Sequence, residues 1–491
     1  MKPYQILFSG VTILPVIGVI ILLAWRKATK TQAAIVGIIS ESFALVIPIV
    51  LLTTLRKEGV VLFSLPWIPN MQISFSLELS WLSLTFLLTE VLATLAAMIY
   101  SLGDKDGDKN SNTYYALLLL FSLGMSGTTL ADDVFLFYIF WELMLVASVL
   151  LILGWGHGEN RFRVALKYFI ITHLGSLMVL VCLITLYVNF GTASLTELIL
   201  HASTLPSSMQ VFLTAFFIIG FCVKMAIFPF HIWLPDAHTV APMPVTIILA
   251  AAMLSMGTFG VLRFPFTLFA LESIQPFALW MMIGGLISEV YGALMALAER
   301  EIKRIIAYSS VSQMGYILFG LGTLTLRGMQ GAVMHVVYHA IVKALLFMVV
   351  GIIILVTRER DIRNVSGLGS KLPILTVCAA IGVLGISGMP PLGIFNSEWM
   401  IFAGGFDSGV SIVLTVMTLI GSLLTLVYGL RFFGKIFFGA QKPETLPEKS
   451  PRALLVPTIA VTVFLIIEGL VPGPLMEWAT QGLTGIFGGL L

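Results

Sequence analysis

The chain has 491 residues, of which 58% are hydrophobic and 11% are charged, with a net charge of +2 and a mean hydropathy of +1.02. An average soluble domain carries roughly 25% charged residues, so this composition excludes a soluble globular enzyme, a disordered protein and a nucleic-acid-binding protein. Apolar runs of about 20 residues without strict alternation favour membrane-spanning helices over a β-barrel. The sequence therefore predicts an all-α polytopic membrane protein.

The apolar runs predict about fourteen transmembrane helices in a single integral membrane domain, residues 1–491. The first run is too long for the core of a signal peptide and has no small-residue cleavage site behind it, so we assign it as a span. The predicted spans are 4–25, 33–54, 73–101, 114–130, 134–154, 164–190, 209–230, 241–263, 276–298, 303–326, 331–356, 373–403, 408–433 and 453–472.

Two of these spans are associated with helix breakers. Phe228-Pro229-Phe230 and Leu234-Pro235 lie at and after the end of the seventh span, and Gly388-Met389-Pro390-Pro391-Leu392-Gly393 lies inside the twelfth. Proline removes a backbone donor and clashes with the preceding helical turn. Broken helices at corresponding places in two five-helix groups are typical of transporters.

The basic residues predict the orientation in the membrane. Of the 27 Lys and Arg residues, most lie in the odd-numbered loops, counted from the N-terminus. By the positive-inside rule these loops face the cytoplasm and both termini face outward, which requires an even number of spans. We therefore expect an integral protein of a prokaryotic inner membrane with both termini on the outer face.

Charged residues within the apolar runs are the first functional signal, because each costs at least about 2.5–3.5 kcal/mol at the bilayer centre. Glu41 and Glu90 are expected to lie near helix ends or to bond neighbouring backbone, and Glu289 allows either a structural or a functional role. Four charges lie deeper in their runs and predict a buried proton relay, namely Glu142, Lys224, Lys343 and Glu398.

Three titratable residues repeat along the eleventh span. His335, His339 and Lys343 stand at i, i+4 and i+8, which places them on one helix face. A proton relay is the preferred interpretation. Metal binding is the competing one, but no third zinc ligand is evident and Lys343 would repel a cation. His173 is a further intramembrane histidine, and a lone histidine of this kind is often a satisfied core residue.

The cysteines offer no redox chemistry. Cys182, Cys222 and Cys378 lie far apart in apolar runs and form no CxxC pair, so iron–sulfur ligation and zinc ribbons are excluded. No flavin, quinone or nucleotide motif is visible. We therefore expect no metal and no cofactor in this chain.

Five segments resemble motifs of the antiporter-like, proton-translocating subunits of respiratory complex I, membrane-bound hydrogenases and multisubunit Na⁺/H⁺ (Mrp) antiporters. They occur in the order in which the family has them, and five matches in order are a far stronger signal than any one. The matching segments are FWEL at Phe140–Leu143, K…PFHIWLPDAH from Lys224 to His238, IKRIIAYSSVSQMG at Ile302–Gly315, HAIVKALLF at His339–Phe347 and GMPP…E from Gly388 to Glu398.

The resemblance implies a fold of fourteen helices with two inverted five-helix repeats, here at about 114–263 and 276–433. It also implies proton translocation, with Glu142 and Lys224 matching an acid–lysine pair in which the acid keeps the lysine protonated. Protons would then pass through the eleventh-span residues to Glu398. Members of this family are driven by neighbouring subunits or exchange cations with protons.

The chain departs from the family pattern in two ways. Ser255 stands where several members have a lysine in the eighth span, so water would have to bridge the central proton transfer. Glu398 resembles the M-type subunit of complex I, whereas Lys343 resembles other members, including those of Na⁺/H⁺ antiporters and membrane-bound hydrogenases. By these features the chain is most similar to M-type and D-type subunits.

The leading functional hypothesis is a proton-translocating subunit of a larger redox-driven membrane complex, with no redox centre in this chain. One alternative is a subunit of a multisubunit Na⁺/H⁺ antiporter without redox chemistry. The other is a non-transporting scaffold whose buried charges only orient helices. The expected partners are other membrane subunits and protons, with Na⁺ in the antiporter case, and no nucleic acid.

Overall fold

The computed structural model describes residues 2–25, 27–440 and 452–487, which are mostly helical, as predicted. Within these residues thirteen helices are long and apolar enough to cross a membrane, so the protein is an all-α polytopic membrane protein. The helices are α1 Pro3–Ala24, α2 Lys30–Val50, α3 Leu52–Glu58, α4 Trp81–Ser101, α5 Ser111–Leu130, α6 Val134–Trp155, α7 Arg161–Phe190, α8 Leu195–His201, α9 Ser207–Lys224, α10 Leu234–Val240, α11 Met243–Ile248, α12 Ser255–Arg263, α13 Pro265–Leu268, α14 Leu271–Ile274, α15 Ala278–Ala298, α16 Ile302–Gly322, α17 Leu326–Thr357, α18 Pro373–Ile386, α19 Gly393–Asp407, α20 Ile412–Phe437, α21 Arg452–Leu470 and α22 Gly473–Phe487. Short 3₁₀ turns occur at Pro69–Met71, Asp106–Asp108, Ala202–Thr204, Phe230–Trp233, Gln275–Phe277 and Leu368–Ser370.

The prediction that the third span begins at residue 73 is wrong, because a β-hairpin precedes the helix. Strands β1 (Val61–Ile68) and β2 (Ile73–Leu79) pair antiparallel. Apolar and polar residues alternate along β2, a period of two that is typical of a strand. The side chain of Ser80 then accepts a hydrogen bond from the backbone N–H of Ser83, and this N-terminal cap begins α4 at Trp81.

Both predicted helix breaks are present. Helix α9 ends at Lys224, so the prediction that the seventh span continues to residue 230 is wrong in its extent. The chain leaves the helix before Pro229, since Ala226 already has a positive φ of 55°. The predicted twelfth span divides into α18 and α19 on either side of Pro390-Pro391. This divided span, added to the thirteen long helices, accounts for the fourteen predicted spans.

Glycines bring helices α15 and α16 into close contact. A Cβ atom at Gly315 of α16 would lie 2.5 Å from the backbone nitrogen of Glu289 on α15, and one at Gly285 would lie 2.6 Å from the carbonyl oxygen of Gly315. Lipid tails are as apolar as leucine, so helices in a membrane associate through such close packing rather than through a hydrophobic driving force. Helix α16 is held tightly against α15 in this way.

Helix α17 lies at the centre of the molecule. It has 32 residues and packs against α4, α11, α16, α18, α19, α21 and α22. Helix α22 lies beyond the fourteen predicted spans and packs against α4 and α17. The residues that α17 carries therefore contact elements from both ends of the chain.

Three features stay predictions. They are the inverted relation between segments 114–263 and 276–433, the single-domain assignment of residues 1–491, and the placement of both termini on the outer face. Within the predicted link at 434–452, residues 441–451 lie outside the part of the chain that the structure describes.

We expect the substitution Gly315→Ala to destabilise the protein, because its methyl group has no room between α15 and α16. Overpacking of this kind costs typically about 1–3 kcal/mol. The control is Gly154→Ala on α6, where a Cβ atom would meet nothing within 4 Å. Thermal unfolding of the purified protein in detergent measures the effect. Equal midpoints for the two variants would contradict the packing argument.

Candidate functional site

Lys224 is the last residue of α9, at the point where the helix breaks. Its side chain is buried, and its Nζ atom has no hydrogen-bond partner among the described residues. The Nζ lies 4.9 Å from the centroid of the Trp141 ring, within the range of a cation–π interaction. The carbonyl groups at the C-terminus of a helix also favour a positive charge. The site therefore stabilises an ammonium without a direct ion pair.

Glu142 makes its closest polar contact with His173 rather than with Lys224. Its Oε2 atom lies 3.0 Å from Nδ1 of His173 on α7, while its Oε1 atom is buried without a partner among the described residues. Lys224 interacts with Glu142 electrostatically over a longer distance. The carboxylate of Glu142 thus lies between two basic groups, and sequence reasoning did not identify His173 as one of them.

The break after α9 is held by side chains that replace the missing helical hydrogen bonds. Trp233 donates its Nε1–H to the carbonyl oxygen of Val223 at 3.1 Å, and the backbone N–H of Phe228 donates to the hydroxyl of Ser288 at 2.8 Å. Non-helical backbone at membrane depth is tolerated only where the protein supplies such partners. These contacts keep Lys224 at a fixed helix end.

The segment between the two halves has an irregular helix and hydroxyl groups where the family pattern has a lysine. A π-helical turn, Leu249–Met253, joins α11 to α12, and π turns are frequent at functional sites. Ser255 follows it, is buried, and donates its hydroxyl to the carbonyl oxygen of Ala252. The buried hydroxyl of Thr258 has no partner among the described residues.

His335, His339 and Lys343 all lie on α17 and are buried there. Lys343 donates to the backbone carbonyl of Ile306 at 2.9 Å and to the hydroxyl of Ser309 at 2.5 Å, both on α16. Nε2 of His339 has no hydrogen-bond partner among the described residues. The predicted trio is therefore enclosed by protein, with α16 as the partner of its lysine.

His335 bridges α16 and α19 by two hydrogen bonds. Its Nε2 atom lies 3.0 Å from Oε1 of Gln313, and its Nδ1 atom lies 3.0 Å from the hydroxyl of Ser397. Gln313 follows Ser309 by one helical turn, and Ser397 directly precedes Glu398 in the chain. The structure thus joins His335 and Lys343 on α17 to polar side chains of α16 and α19, and Glu398 is the next residue along α19.

Glu398 lies directly against the break between α18 and α19. It is 6% exposed, and its Oε1 atom has no hydrogen-bond partner among the described residues. Gly388 has a positive φ of 63°, and a Cβ atom there would collide with the Glu398 carboxylate. Glycine is required here for both reasons. Glu289 on α15 interacts electrostatically with Glu398.

His238 is a further buried titratable residue that sequence reasoning did not select as a site. It lies on α10, and neither of its ring nitrogens has a hydrogen-bond partner among the described residues. It interacts electrostatically with both Lys303 and Lys343, and His339 interacts with it in turn. His238 therefore lies between the start of α16 and the middle of α17.

A polar cavity of about 400 Å³ lies beside loops that are predicted to face the cytoplasm. Asp104, Asp106, His157 and Lys303 are among the residues that line it. Nε2 of His157 lies 3.1 Å from Oδ2 of Asp106. Burial, together with the neighbouring Asp106, raises the pKa of Asp104 to about 6. This carboxyl group can therefore bind and release a proton close to neutral pH.

Glu41 and Glu90 do not have the structural role expected of them. Each lies in the middle of its helix, α2 or α4, and each is 0% exposed. None of their four carboxylate oxygens has a hydrogen-bond partner among the described residues, so neither side chain bonds a neighbouring backbone group. The expectation was wrong because both residues face neighbouring helices, which their position in the sequence does not reveal.

The described residues contain no group of three or more His, Cys, Asp or Glu side chains placed to hold a metal ion.

The polar partners that sequence reasoning missed share one property: they are uncharged or weakly basic groups common in soluble cores. Only their contacts mark them. They are His173, Ser309, Gln313 and Ser397.

Comparison with known proteins identifies the family. Residues 131–425 match the transmembrane family described as NADH:quinone oxidoreductase/Mrp antiporter. The chain is 35% identical to NADH-quinone oxidoreductase subunit M of Escherichia coli over 444 residues, covering 86% of this chain and 84% of the relative. It is 32% identical to Na(+)/H(+) antiporter subunit A1 of Staphylococcus haemolyticus over 482 residues, covering 90% of this chain and 60% of the relative.

Solved structures show the same fold. A chain in the Mrp complex from Dietzia sp. DQ12-45-1b superposes with a TM-score of 0.89 at 21% sequence identity, covering 100% of this chain and 98% of that one.

The segment that matches the family, residues 131–425, contains both helix breaks and every residue of the predicted relay. The chain belongs to the NADH:quinone oxidoreductase/Mrp antiporter family of antiporter-like membrane subunits.

Proposed function

We propose that this chain is the proton-translocating subunit of a redox-driven membrane complex and that its buried Glu, Lys and His residues carry the protons. One observation carries the proposal: each broken helix places an unpartnered titratable group beside other buried titratable groups. The groups at the breaks are Lys224 and Glu398. A scaffold gains nothing from buried charges that lack partners, since they only cost stability.

In the first half, Glu142 acts as a switch between two bases. Its Oε2 atom holds His173, while its Oε1 atom and the Nζ of Lys224 are both without hydrogen-bond partners. Rotation of the carboxylate towards Lys224 would form an ion pair and favour the protonated amine. Return to His173 would remove that support and release the proton.

In the second half, protons move along α17 and across to α19. Lys343 is joined to Ser309, and His335 is joined to Gln313 and to the Ser397 hydroxyl. Hydroxyl and amide groups of this kind position a proton donor against its acceptor, with water completing the steps between them. Glu398 is the terminal acceptor of this row.

The two halves need a connection, which we assign to the hydroxyl groups near the π-helical turn and to His238. Ser255 cannot store a charge, so it positions water rather than replacing the family's lysine. His238 interacts with Lys343 and with Lys303, which lines the polar cavity. A proton taken up near Asp104 would reach α17 through these two residues.

The second candidate function is a subunit of a multisubunit Na⁺/H⁺ antiporter without redox chemistry. It is favoured by the similarity to an antiporter subunit A1, which extends over 90% of this chain. The redox-driven function is favoured by the similarity to NADH-quinone oxidoreductase subunit M. That match covers 84% of the relative's length, whereas the match to the antiporter subunit covers 60% of that relative. In either case the partners are other membrane subunits, and the setting is a prokaryotic inner membrane.

We expect Glu142→Gln and Lys224→Ala to abolish most proton transport while the complex still assembles, because each removes one charge of the switch. Proton pumping by the complex in vesicles, measured with a pH-sensitive dye, reports the effect. Glu272→Gln, at a charged residue outside the buried relay, is the control. If both relay variants pump at the control rate in an assembled complex, the chain is a scaffold.

We expect Gln313→Leu to slow proton transport, because it removes the partner of His335 Nε2 while keeping a similar volume. Loss of one positioned hydrogen bond to a buried group costs about 1–3 kcal/mol, which corresponds to roughly a 5- to 150-fold slower step. Gln313→Glu restores an acceptor at the same place and should recover part of the rate. Equal rates for Gln313→Leu and the unmodified protein would remove Gln313 from the relay.

Mass spectrometry of proteins that co-purify with this chain from gently solubilised membranes separates the two candidate functions. We expect partners that carry cysteine motifs for iron–sulfur clusters, which make the chain the pump module of a redox complex. Recovery of small hydrophobic subunits and a longer homologous subunit alone would instead identify a cation/proton antiporter.

A further inference from the structure

A largely apolar cavity of about 480 Å³ lies between helices α2, α4, α17, α21 and α22, and no residue of the proposed relay lines it. Its volume falls within the range of about 300–1,000 Å³ that is usual for small-molecule sites. Small side chains on two of the helices leave this space. They are Ala93 and Ala96 on α4 and Ala340 and Ala344 on α17.

The rim of the cavity is apolar and lies at the outside of the chain. Ile49, Ile467 and Val471 line it and are 46%, 51% and 56% exposed. Lipid tails are as apolar as leucine and can cover such side chains as well as protein can. A void beside the tails is unfavourable, because the atoms of its wall lack partners for dispersion contacts. An acyl chain that entered from the membrane would supply those contacts.

Among the described residues, one charged side chain lines the cavity. Glu468 is partly buried on α21, two residues before the helix ends at Leu470. No described residue forms an ion pair or a hydrogen bond with its carboxylate, and no neighbouring cation acts on it. The free carbonyl groups at a helix C-terminus add partial negative charge there. The cavity therefore combines an apolar interior with an uncompensated acid.

The position of Glu468 in its helix fits the level of lipid headgroups. Helix α21 has 19 residues, and its length of about 28 Å is close to the roughly 30 Å of the hydrocarbon core. If α21 spans the membrane, its last turn lies beside the headgroups. Trp478, on α22 just after the link from α21, also lines the cavity, and tryptophan is enriched at this level of a membrane.

We propose that this cavity binds one membrane lipid with a primary ammonium headgroup, such as phosphatidylethanolamine, with an acyl chain in the apolar interior and the ammonium on Glu468. A primary ammonium has one positive charge and three N–H donors, so it both neutralises the carboxylate and hydrogen-bonds to it. The nitrogen of phosphatidylcholine has no N–H to donate. Phosphatidylglycerol has no cation and adds a second negative charge.

The bound acyl chain would pack against the helix that carries the relay. Ala340 and Ala344 line the cavity, and each directly follows a relay residue of α17, His339 or Lys343. A chain of methylene groups beside these alanines would keep water away from this side of α17. The site has its own chemistry, because a protein that moved no protons through Glu142 would still bind this lipid.

Photolabelling of the intact complex with phosphatidylethanolamine that carries a diazirine in one acyl chain tests the proposal. We expect labelled peptides from α4 and α17. Unlabelled phosphatidylethanolamine should compete at least about tenfold better than phosphatidylcholine or phosphatidylglycerol with the same chains, which is the effect of one hydrogen bond to a charged group. Glu468→Gln should remove this preference. Glu477→Gln, at an exposed acid on the neighbouring α22, should retain it.

A second variant tests the acyl-chain part of the site without changing the acid. Ala96→Leu fills part of the cavity and should remove most labelling of α17. Its control is Ala215→Leu, which fills a second apolar groove of about 280 Å³ between α9 and α15. No carboxylate lines that groove, so the control should leave labelling of α17 unchanged, and the three lipids should compete equally at α9.

Three results would overturn the site. Absence of label on α4 and α17 in the unmodified complex would show that another subunit covers the cavity. Equal competition by the three lipids would show a space for acyl chains without headgroup recognition. A preference for phosphatidylethanolamine that persists in Glu468→Gln would show that another group binds the ammonium.

Discussion

The hydrocarbon of a bilayer cannot bond a backbone N–H or carbonyl group, nor solvate a charge, and every functional feature of this protein depends on that constraint. A helix can break inside the membrane only where side chains take over its hydrogen bonds. Here Trp233 and Ser288 do so for the carbonyl of Val223 and the amide of Phe228. The protein thereby gains a helix end among buried residues, and Lys224 occupies it.

The two halves of the chain stabilise their buried titratable groups in different ways. In the first half the charged groups are few, and Lys224 lies over an aromatic ring instead of a carboxylate. In the second half neutral polar side chains link the titratable ones, as Gln313 and Ser397 do on either side of His335. A loosely paired charge responds to small movements, whereas a hydrogen-bonded row keeps its groups in register. The first arrangement suits a switch and the second suits conduction.

Much of this architecture is readable from the sequence. Apolar runs long enough to span the membrane identified the helices, and the prolines identified both breaks, because each signal follows from local physics. The hairpin at Val61–Leu79 was missed because its alternation of polar and apolar residues runs directly into an apolar helix. The helix end at Lys224 was missed because the chain turns at Ala226, an alanine with no sequence signature of a break.

The site was harder to predict from the sequence than the fold was. Charged residues in apolar runs are conspicuous because they are costly, so Glu142, Lys224 and Glu398 could be selected directly. Their partners could not be, since a serine or glutamine costs little at any position and pairing across helices depends on rotation and register. The pairing of Glu142 with His173 is such a case, and so is the electrostatic interaction of Glu41 with Glu90, two residues that lie 49 positions apart in the chain.

The length of α17 has an electrical consequence. Its 32 residues extend about 48 Å, more than the roughly 30 Å of the hydrocarbon core, so the helix is long enough to connect the two membrane surfaces. From His335 to Lys343 the axial distance is about 12 Å, or about two fifths of the core. A positive charge moved between them along an upright helix would do work of about 0.9 kcal/mol against 100 mV. The membrane voltage would therefore oppose or assist transfer along this one helix, while sideways transfer to α16 or α19 would be nearly indifferent to it.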